Sequence, residues 1–390
     1  MQGKRKIAVI TSSRADYAHL YWVLVELSKR SNVELSLITM GPHLSAEFGN
    51  TWEDIAGDGF TAAANIECLL SSDSDVGMAK TIGVATLGLA DHLGKVRPDL
   101  LLLIADRYEM LAPAAVALSL RIPVAHIEGG DVSLGAIDEA VRNALTKLSH
   151  VHLTTTEGAR RRVISMGEEP SRVHVVGSPS LDLLTKGTLL AREDVEQRLR
   201  ISLDRSTIAV IYHPVTIRRN TLCETDGLFA ALEALHDNLL FISPNSDAGS
   251  RELTQRIIAF AARRINARSI TSIDHRTYLS LMPFLSLLIG NSSSGIMEAA
   301  SFKLPVVNIG IRQNGRERAK NVVDCAAERD AIAWAVRRAL SDRFKASLDD
   351  LRNPYGDGHS AEKIAEILST VDLSASLLAK APAPILSHVA

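Results

Sequence analysis

The sequence predicts an α/β protein of two doubly wound, Rossmann-like domains that face each other across a cleft. Three observations carry this. Short, continuous apolar segments alternate with helical ones along the chain, as parallel strands covered on both faces do. The 390 residues exceed one ordinary core. The order of elements in the first half recurs in the second, on either side of the polar stretch Thr185–Ser202.

In the first half the strands read as KIAVIT, VELSLIT, DLLLLIA, PVAHIE and HVHLTT. Between them lie the helical segments DYAHLYWVLVELSKR, DVGMAKTIGVATLGLADHLGKV, RYEMLAPAAVALSLR and IDEAVRNALTKLS. The second half gives strands TIAVIYH, NLLFISP, LSLLIG and PVVNIG, and helices LFAALEALH, RELTQRIIAFAARR and RDAIAWAVRRALS. The expected division is an N-terminal domain over 1–185, a C-terminal domain over 186–368 and a helical tail over 369–390 that packs back on the first domain. Ligands of such folds bind where strand carboxyl ends point.

Composition narrows the function. Lys and Arg number 43 against 45 Asp and Glu, a net charge of −2, which argues against nucleic-acid binding. Cys68, Cys223 and Cys325 form no paired motif and suit a reducing compartment. The N-terminus MQGKRKIAVITSS reads as a first strand, not a signal peptide. The longest apolar window, YLSLMPFLSLLIG, is too short for a membrane span. A cytoplasmic protein without a membrane partner is expected. The 12 histidines include no HExxH, so no metal is expected. No GxGxxG follows the first strand and no GxxxxGK[ST] exists, so neither a nicotinamide cofactor nor a P-loop is expected.

The strand ends carry the candidate chemistry. After the first strand come Ser12, Ser13, Arg14 and Asp16; after the third, Asp106 and Arg107; after the fourth, Glu128, Gly129 and Gly130. Asp138, Glu139 and Arg142 open a helix. In the second half stand His213, then Asn245, Ser246 and Arg251, then Arg312, Arg316 and Arg318. The turn GNSSSG, with Ser292, Ser293, Ser294 and Gly295, joins a buried strand to a helix that Ser293 or Ser294 caps. Small hydroxyls at a helix start suit phosphate. Singly, each residue fits a plain role, such as an N-cap for Asp138 or a solvated face for the arginines. Together they place acids in the first half and cations with hydroxyls in the second.

In register, TSSRADY, GPHLSAEFGNTWEDI, DRYEMLAPA, HIEGGDVSLGAIDEAVRNALTKLSH, HPVT, GNSSSGIMEA, VVNIGIRQNGRER and NPYGDGHSAEKI resemble the hydrolysing UDP-N-acetylglucosamine 2-epimerases of sialic-acid synthesis and their relatives for legionaminic-type sugars. The resemblance spans Lys6 to Leu368. It implies a glycosyltransferase-B-like fold, a homodimer or homotetramer, and no metal or nicotinamide. It implies conversion of a UDP-2-acetamido sugar and water to the free 2-epimer and UDP, with N-acetylmannosamine as product by default. It places catalytic groups on Asp106, Glu128, Asp138 and His213, and nucleotide contacts on Arg14, Ser292, Ser293, Glu298 and Arg312. Ser246, Ser294, Gly295 and Arg107 join the candidate binding residues, and His43 is a candidate reader of the sugar. Two positions depart from the relatives: Ala105 stands where Gly is common, and Asn143 where His is common. The alternatives are a non-hydrolysing epimerase, a hydrolysing one acting on a UDP- or GDP-linked 2,4-diacetamido-2,4,6-trideoxy sugar, a glycosyltransferase, and a non-catalytic nucleotide-sugar-binding protein.

Overall fold

A computed structural model of the chain describes residues 3–72, 74–203, 206–244 and 247–380. Asn245, Ser246 and the tail beyond residue 380 lie outside the described residues. Two all-parallel sheets organise the rest. The first contains β1 (Arg5–Thr11), β2 (Val33–Met40), β3 (Ala62–Ile66), β4 (Leu100–Ile104), β5 (Val124–Ile127), β6 (Val151–Thr154) and β7 (Val173–Val175), in the order β3-β2-β1-β4-β5-β6-β7. The second contains β8 (Thr207–Ile211), β9 (Asn238–Ile242), β10 (Ala267–Ile270), β11 (Leu287–Gly290), β12 (Val306–Ile309) and β13 (Val322–Cys325), in the order β10-β9-β8-β11-β12-β13.

All nine segments read as strands form the interior of these sheets, buried at nearly every position of their central runs. The four strands without a sequence signal, β3, β7, β10 and β13, are the four sheet edges. Each mixes covered with exposed residues, so no continuous buried run marks them.

Helices cover both faces of each sheet, giving two apolar layers per lobe. The chain crosses back before its end. Helix Ser360–Thr370 lays Ile364, Ala365 and Leu368 into the first-sheet layer, against helix Arg14–Ser28. Arg5 donates to the Leu368 carbonyl at 2.7 Å, and Arg30 to Glu366 at 2.7 Å.

The lobes meet along a polar seam beside the strand ends. Arg316 donates to Asp131 at 2.9 Å with both side chains buried. Thr156 donates to Glu317 at 2.8 Å, and the Leu134 amide to the Asn314 carbonyl at 3.0 Å. Glycines of this loop allow close contact. A Cβ on Gly135 would stand 2.4 Å from the Ile311 carbonyl oxygen of the other lobe. Gly130, at φ +81, would place one 2.3 Å from the Ala159 carbonyl oxygen.

Among the described residues no helix is long and apolar enough to cross a membrane. Removing one member of a buried ion pair strands the other charge, at about 3–5 kcal/mol. Asp131→Asn is therefore expected to lower the free energy of unfolding by an amount in that range, read as a lower urea midpoint at unchanged slope. An unchanged midpoint would show that the seam carries no such constraint.

Candidate active site

Asp106 follows β4, Glu128 follows β5, and Asp138 is the first residue of helix Asp138–Leu148. All three line one cavity of about 100 Å³, and Ser293 and Arg312 reach it from the other lobe. The spacing along the chain brings them together because β4 and β5 are neighbours and their carboxyl ends share one edge of the cleft.

Arg142, one turn into that helix, is fully buried and fixes the acids. Its guanidinium donates to Asp106, to Glu139 at 2.6 Å, to the Asp131 carbonyl at 2.9 Å and to Ser133 at 2.9 Å. Burial alone would push the Asp106 carboxyl up, but Arg142, Arg316 and Arg312 together hold it below the usual range. Asp138 moves the other way: burial raises it first and the Asp106 charge adds to this, against Arg312. The two carboxyls therefore hold protons differently.

On the second lobe Ser292, Ser293 and Ser294 line a cavity of about 160 Å³ with His213, Glu298 and Arg312, and Arg14 closes it from the first lobe. Ser293, Arg312, Ala15 and His19 belong to both cavities, so the two are continuous. The helix after the serine turn is short, Ser294–Met297, and Ser293 sits at its N-cap position without a side-chain capping bond. Ser294 is hydrogen-bonded to the Tyr278 hydroxyl. Asn291, fully buried, ties the turn together: its Oδ1 accepts from the His213 amide at 2.7 Å and its Nδ2 donates to the His213 carbonyl at 2.9 Å. Its own carbonyl accepts from Arg312 at 3.2 Å. A third, wider space of about 430 Å³ opens beside Arg14, Ala15 and Arg107, where Pro42, Phe48 and Met78 line it. Arg107 pairs with Glu109 at 2.8 Å and faces Asp247 of the other lobe at 3.9 Å.

Several expectations change. His43 does not reach the cleft walls: it is fully buried and both ring nitrogens are taken, by Thr11 and Thr51 at 2.8 Å each. Burial, with the Arg107 charge, lowers it to about 3, so it is a neutral structural histidine with nothing to offer a sugar. Gly295 packs the short helix onto β11 and β12, where a Cβ would meet Val306 at 3.0 Å, and lines none of these cavities. Ser246 lies outside the described residues. Burial, with the Arg312 and Arg107 charges added to it, pushes His213 well below its ordinary value; it is neutral here, a hydrogen-bonding group and not a cation. The division of charge is also less clean, because Arg107 and Arg142 stand among the acids and Glu298 among the hydroxyls. Asn143 bonds Glu139 at 3.3 Å and lines none of these cavities.

The residues not read from the sequence are Asn291 and His19, and Arg142 was read only as part of a helix start, without its role of fixing the acids. Nothing in IDEAVRNALTKLS separates Arg142 from a surface cation, and His19 sits mid-helix in RADYAHLYW without a motif. Asn291 was legible only as part of the serine turn. Among the described residues no group of three or more His, Cys, Asp or Glu is placed to hold a metal ion.

Two acids sit beside strained backbone. Ala105, preceding Asp106, has φ +59, and Glu128 has φ +68, a left-handed region L residues rarely adopt. The sheet ladder continues through both: the Ala105 amide donates to Ile127 at 3.0 Å and the Glu128 amide to Leu153 at 3.0 Å. His126 adds a 2.7 Å hydrogen bond to the Ala105 carbonyl.

Comparison with known proteins places this geometry. The family model described as UDP-N-acetylglucosamine 2-epimerase matches residues 25–369. The UDP-N,N'-diacetylbacillosamine 2-epimerase (hydrolyzing) of Legionella pneumophila is 37% identical over 378 residues, covering 96% of this chain and 98% of its own. The GDP/UDP-N,N'-diacetylbacillosamine 2-epimerase (hydrolyzing) of Campylobacter jejuni is 33% identical over 88% of this chain and 89% of its own. A crystal structure of the Methanocaldococcus jannaschii UDP-GlcNAc 2-epimerase in complex with UDP-GlcNAc and UDP superposes with a TM-score of 0.77 at 20% identity, over 93% of this chain and 99% of that one. That likeness shows the shared glycosyltransferase-B-like fold.

Left-handed backbone costs an Ala about 1–2 kcal/mol. Ala105→Gly is expected to be neutral or up to about 1 kcal/mol more stable, and Ala105→Val clearly less stable, in thermal melts. A Gly variant weaker than the Val one would contradict the strained geometry.

Proposed function

The chain belongs to the hydrolysing UDP-N-acetylglucosamine 2-epimerase family, and from that premise we propose that it converts a UDP-linked 2-acetamido sugar and water to the free 2-epimer and UDP. The observation that carries the reading is the single cavity in which Asp106, Glu128 and Asp138 face Ser293 and Arg312. We take the sugar to be a 2,4-diacetamido-2,4,6-trideoxy hexose. Support comes from the two relatives that act on diacetylbacillosamine, and from Pro42, Phe48 and Met78, whose apolar surface suits acetamido and C6 methyl groups. UDP-N-acetylglucosamine, which gives N-acetylmannosamine, is the second reading and rests on the description of the matching family.

The chemistry follows from the charges. The C2 proton has no neighbouring carbonyl, so the C1–O bond must loosen before a base can take it. Arg14, Arg312 and the serine turn are placed to receive the charge growing on the departing diphosphate; one such donor is typically worth about 3 kcal/mol. Asp106, kept anionic by Arg142, steadies the cationic ring. Glu128 takes the C2 proton and releases it to solvent, and UDP leaves a glycal. Asp138, bearing its proton, then delivers it to C2 from the opposite face as water adds to C1; the proton lost by that water restores Asp138. Proton transfer of this kind contributes about 10²–10⁴-fold. His213, neutral and pinned by Asn291, is a hydrogen-bonding group for the diphosphate.

With a panel of UDP- and GDP-linked sugars and no added metal or NAD, the protein is expected to release UDP and a free 2-epimer. In deuterated water that product carries deuterium at C2, read by mass spectrometry. Asp106→Asn is expected to abolish turnover, by at least about 10²-fold, while UDP binding by calorimetry persists. Sugar that stays on the nucleotide, or product without label, would sink the hydrolytic reading.

The pH profile tests the split between the acids. Asp138 is raised to about 7 by burial and by Asp106. Its protonated form prevails below that pH and is lost above it, so kcat should fall as pH rises through about 7. An increase through the same range would make Asp138 the base instead.

A further inference from the structure

His19, half-buried, lies between two carboxylates that come from different lobes. Its Nδ1 stands 2.8 Å from Glu128 of the first lobe, and its Nε2 stands 3.7 Å from Glu298 of the second. It lines both the acid cavity and the serine cavity, at the point where they join. We propose that His19 is a positioning residue: a cationic bridge that holds the Glu128 carboxylate aimed into the acid cavity and ties that aim to Glu298 of the opposite lobe. This rests on the reading of the site given above.

The geometry alone makes the bridge directional. An imidazolium has two donor edges on a rigid ring: at Nδ1 a hydrogen bond fixes Glu128, and at Nε2 the charge attracts Glu298 as an ion pair beyond hydrogen-bond distance. Glu128 itself has left-handed backbone, with its amide bonded to the Leu153 carbonyl at 3.0 Å, so its main chain is fixed beneath the bridge. The surroundings favour the charged ring. Burial opposes the charge, but Glu128, through its charge and its hydrogen bond, then Glu298 and Asp16, raise His19 to about 9. The other charged or titratable groups around it are His275 at the start of helix His275–Leu281, Arg14 on its own helix, and Arg312, with Asp106, Arg107 and Asp138 in the adjoining cavity. His275, lowered to about 3 by burial and by His19 itself, adds no competing charge.

The test has two arms. In histidine-labelled protein followed by NMR, His19 is expected to titrate near pH 9, and Glu128→Gln is expected to move it down by more than one pH unit. A His19 that titrates at its ordinary value, or that ignores Glu128→Gln, overturns the bridge. In kinetics, His19→Gln is expected to lose at least about thirtyfold in kcat with the Kd for UDP within about threefold, and His19→Lys, which restores the cation, to regain about tenfold. Gln and Lys variants that behave alike, or a parallel loss of UDP binding, overturn it as well. If the unmodified protein releases no UDP from any nucleotide sugar, the proposed reaction fails, and the NMR arm still decides the bridge.

Discussion

Asp131 is the residue on which both lobes and both kinds of charge depend. Its carboxylate accepts from Arg316 of the second lobe at 2.9 Å and from Thr155 at 2.5 Å. Its backbone carbonyl accepts from Arg142, whose other donors hold Asp106, Glu139 and Ser133. One residue therefore sets the distance between the lobes and the posture of the acids. A buried ion pair adds little net stability, because desolvation offsets most of the attraction. Its worth here is geometric: acids on one lobe and hydroxyls on the other meet a ligand only if the seam beside them has one arrangement.

The cleft turns similar groups into different reagents by their neighbours. Asp106 and Asp138 are the same side chain, both buried in one cavity. Three arginines act on the first, while the second feels chiefly desolvation and the first one's charge. The histidines split likewise. His213 and His43 are buried near arginines and are neutral, whereas His19, half-buried between glutamates, is raised. Residue type at a strand end thus predicts that a group is present, and only the second layer of charges decides what it does.

That division also explains what the sequence could show. Interior strands are covered on both faces and largely apolar, so β4 and β11 announce themselves; the edge strands β3, β7, β10 and β13 are partly exposed and do not. Asp106, Glu128 and the serine turn were legible because strand ends are where this fold binds ligands. Arg142 was legible as a residue of the helix start but not in its role, because a buried arginine and a surface arginine look alike on a helix of eleven residues. His43 was misread for the opposite reason: the segment GPHLSAEFG borders the wide part of the cleft, yet its histidine turns inward onto two threonines.

The strained backbone at Ala105 and Glu128 shows why the acids sit where they do. A strand that simply continued would send the side chain after β4 or β5 up or down onto a covered face. A left-handed residue at that point turns the chain out of the strand: at β4 it is Ala105, just before Asp106, and at β5 it is Glu128 itself. Such a conformation persists only where its surroundings over-determine it. Here the amides of Ala105 and Glu128 stay bonded to the neighbouring strands, and His126 grips the Ala105 carbonyl from β5. The His126 ring is lowered to about 4 by burial, so it makes this bond as a neutral donor and brings no extra cation to the acids. The sheet therefore supplies the rigidity that holds two carboxylates in a conformation that local preference opposes, and the acid cavity is a consequence of the parallel strands beneath it.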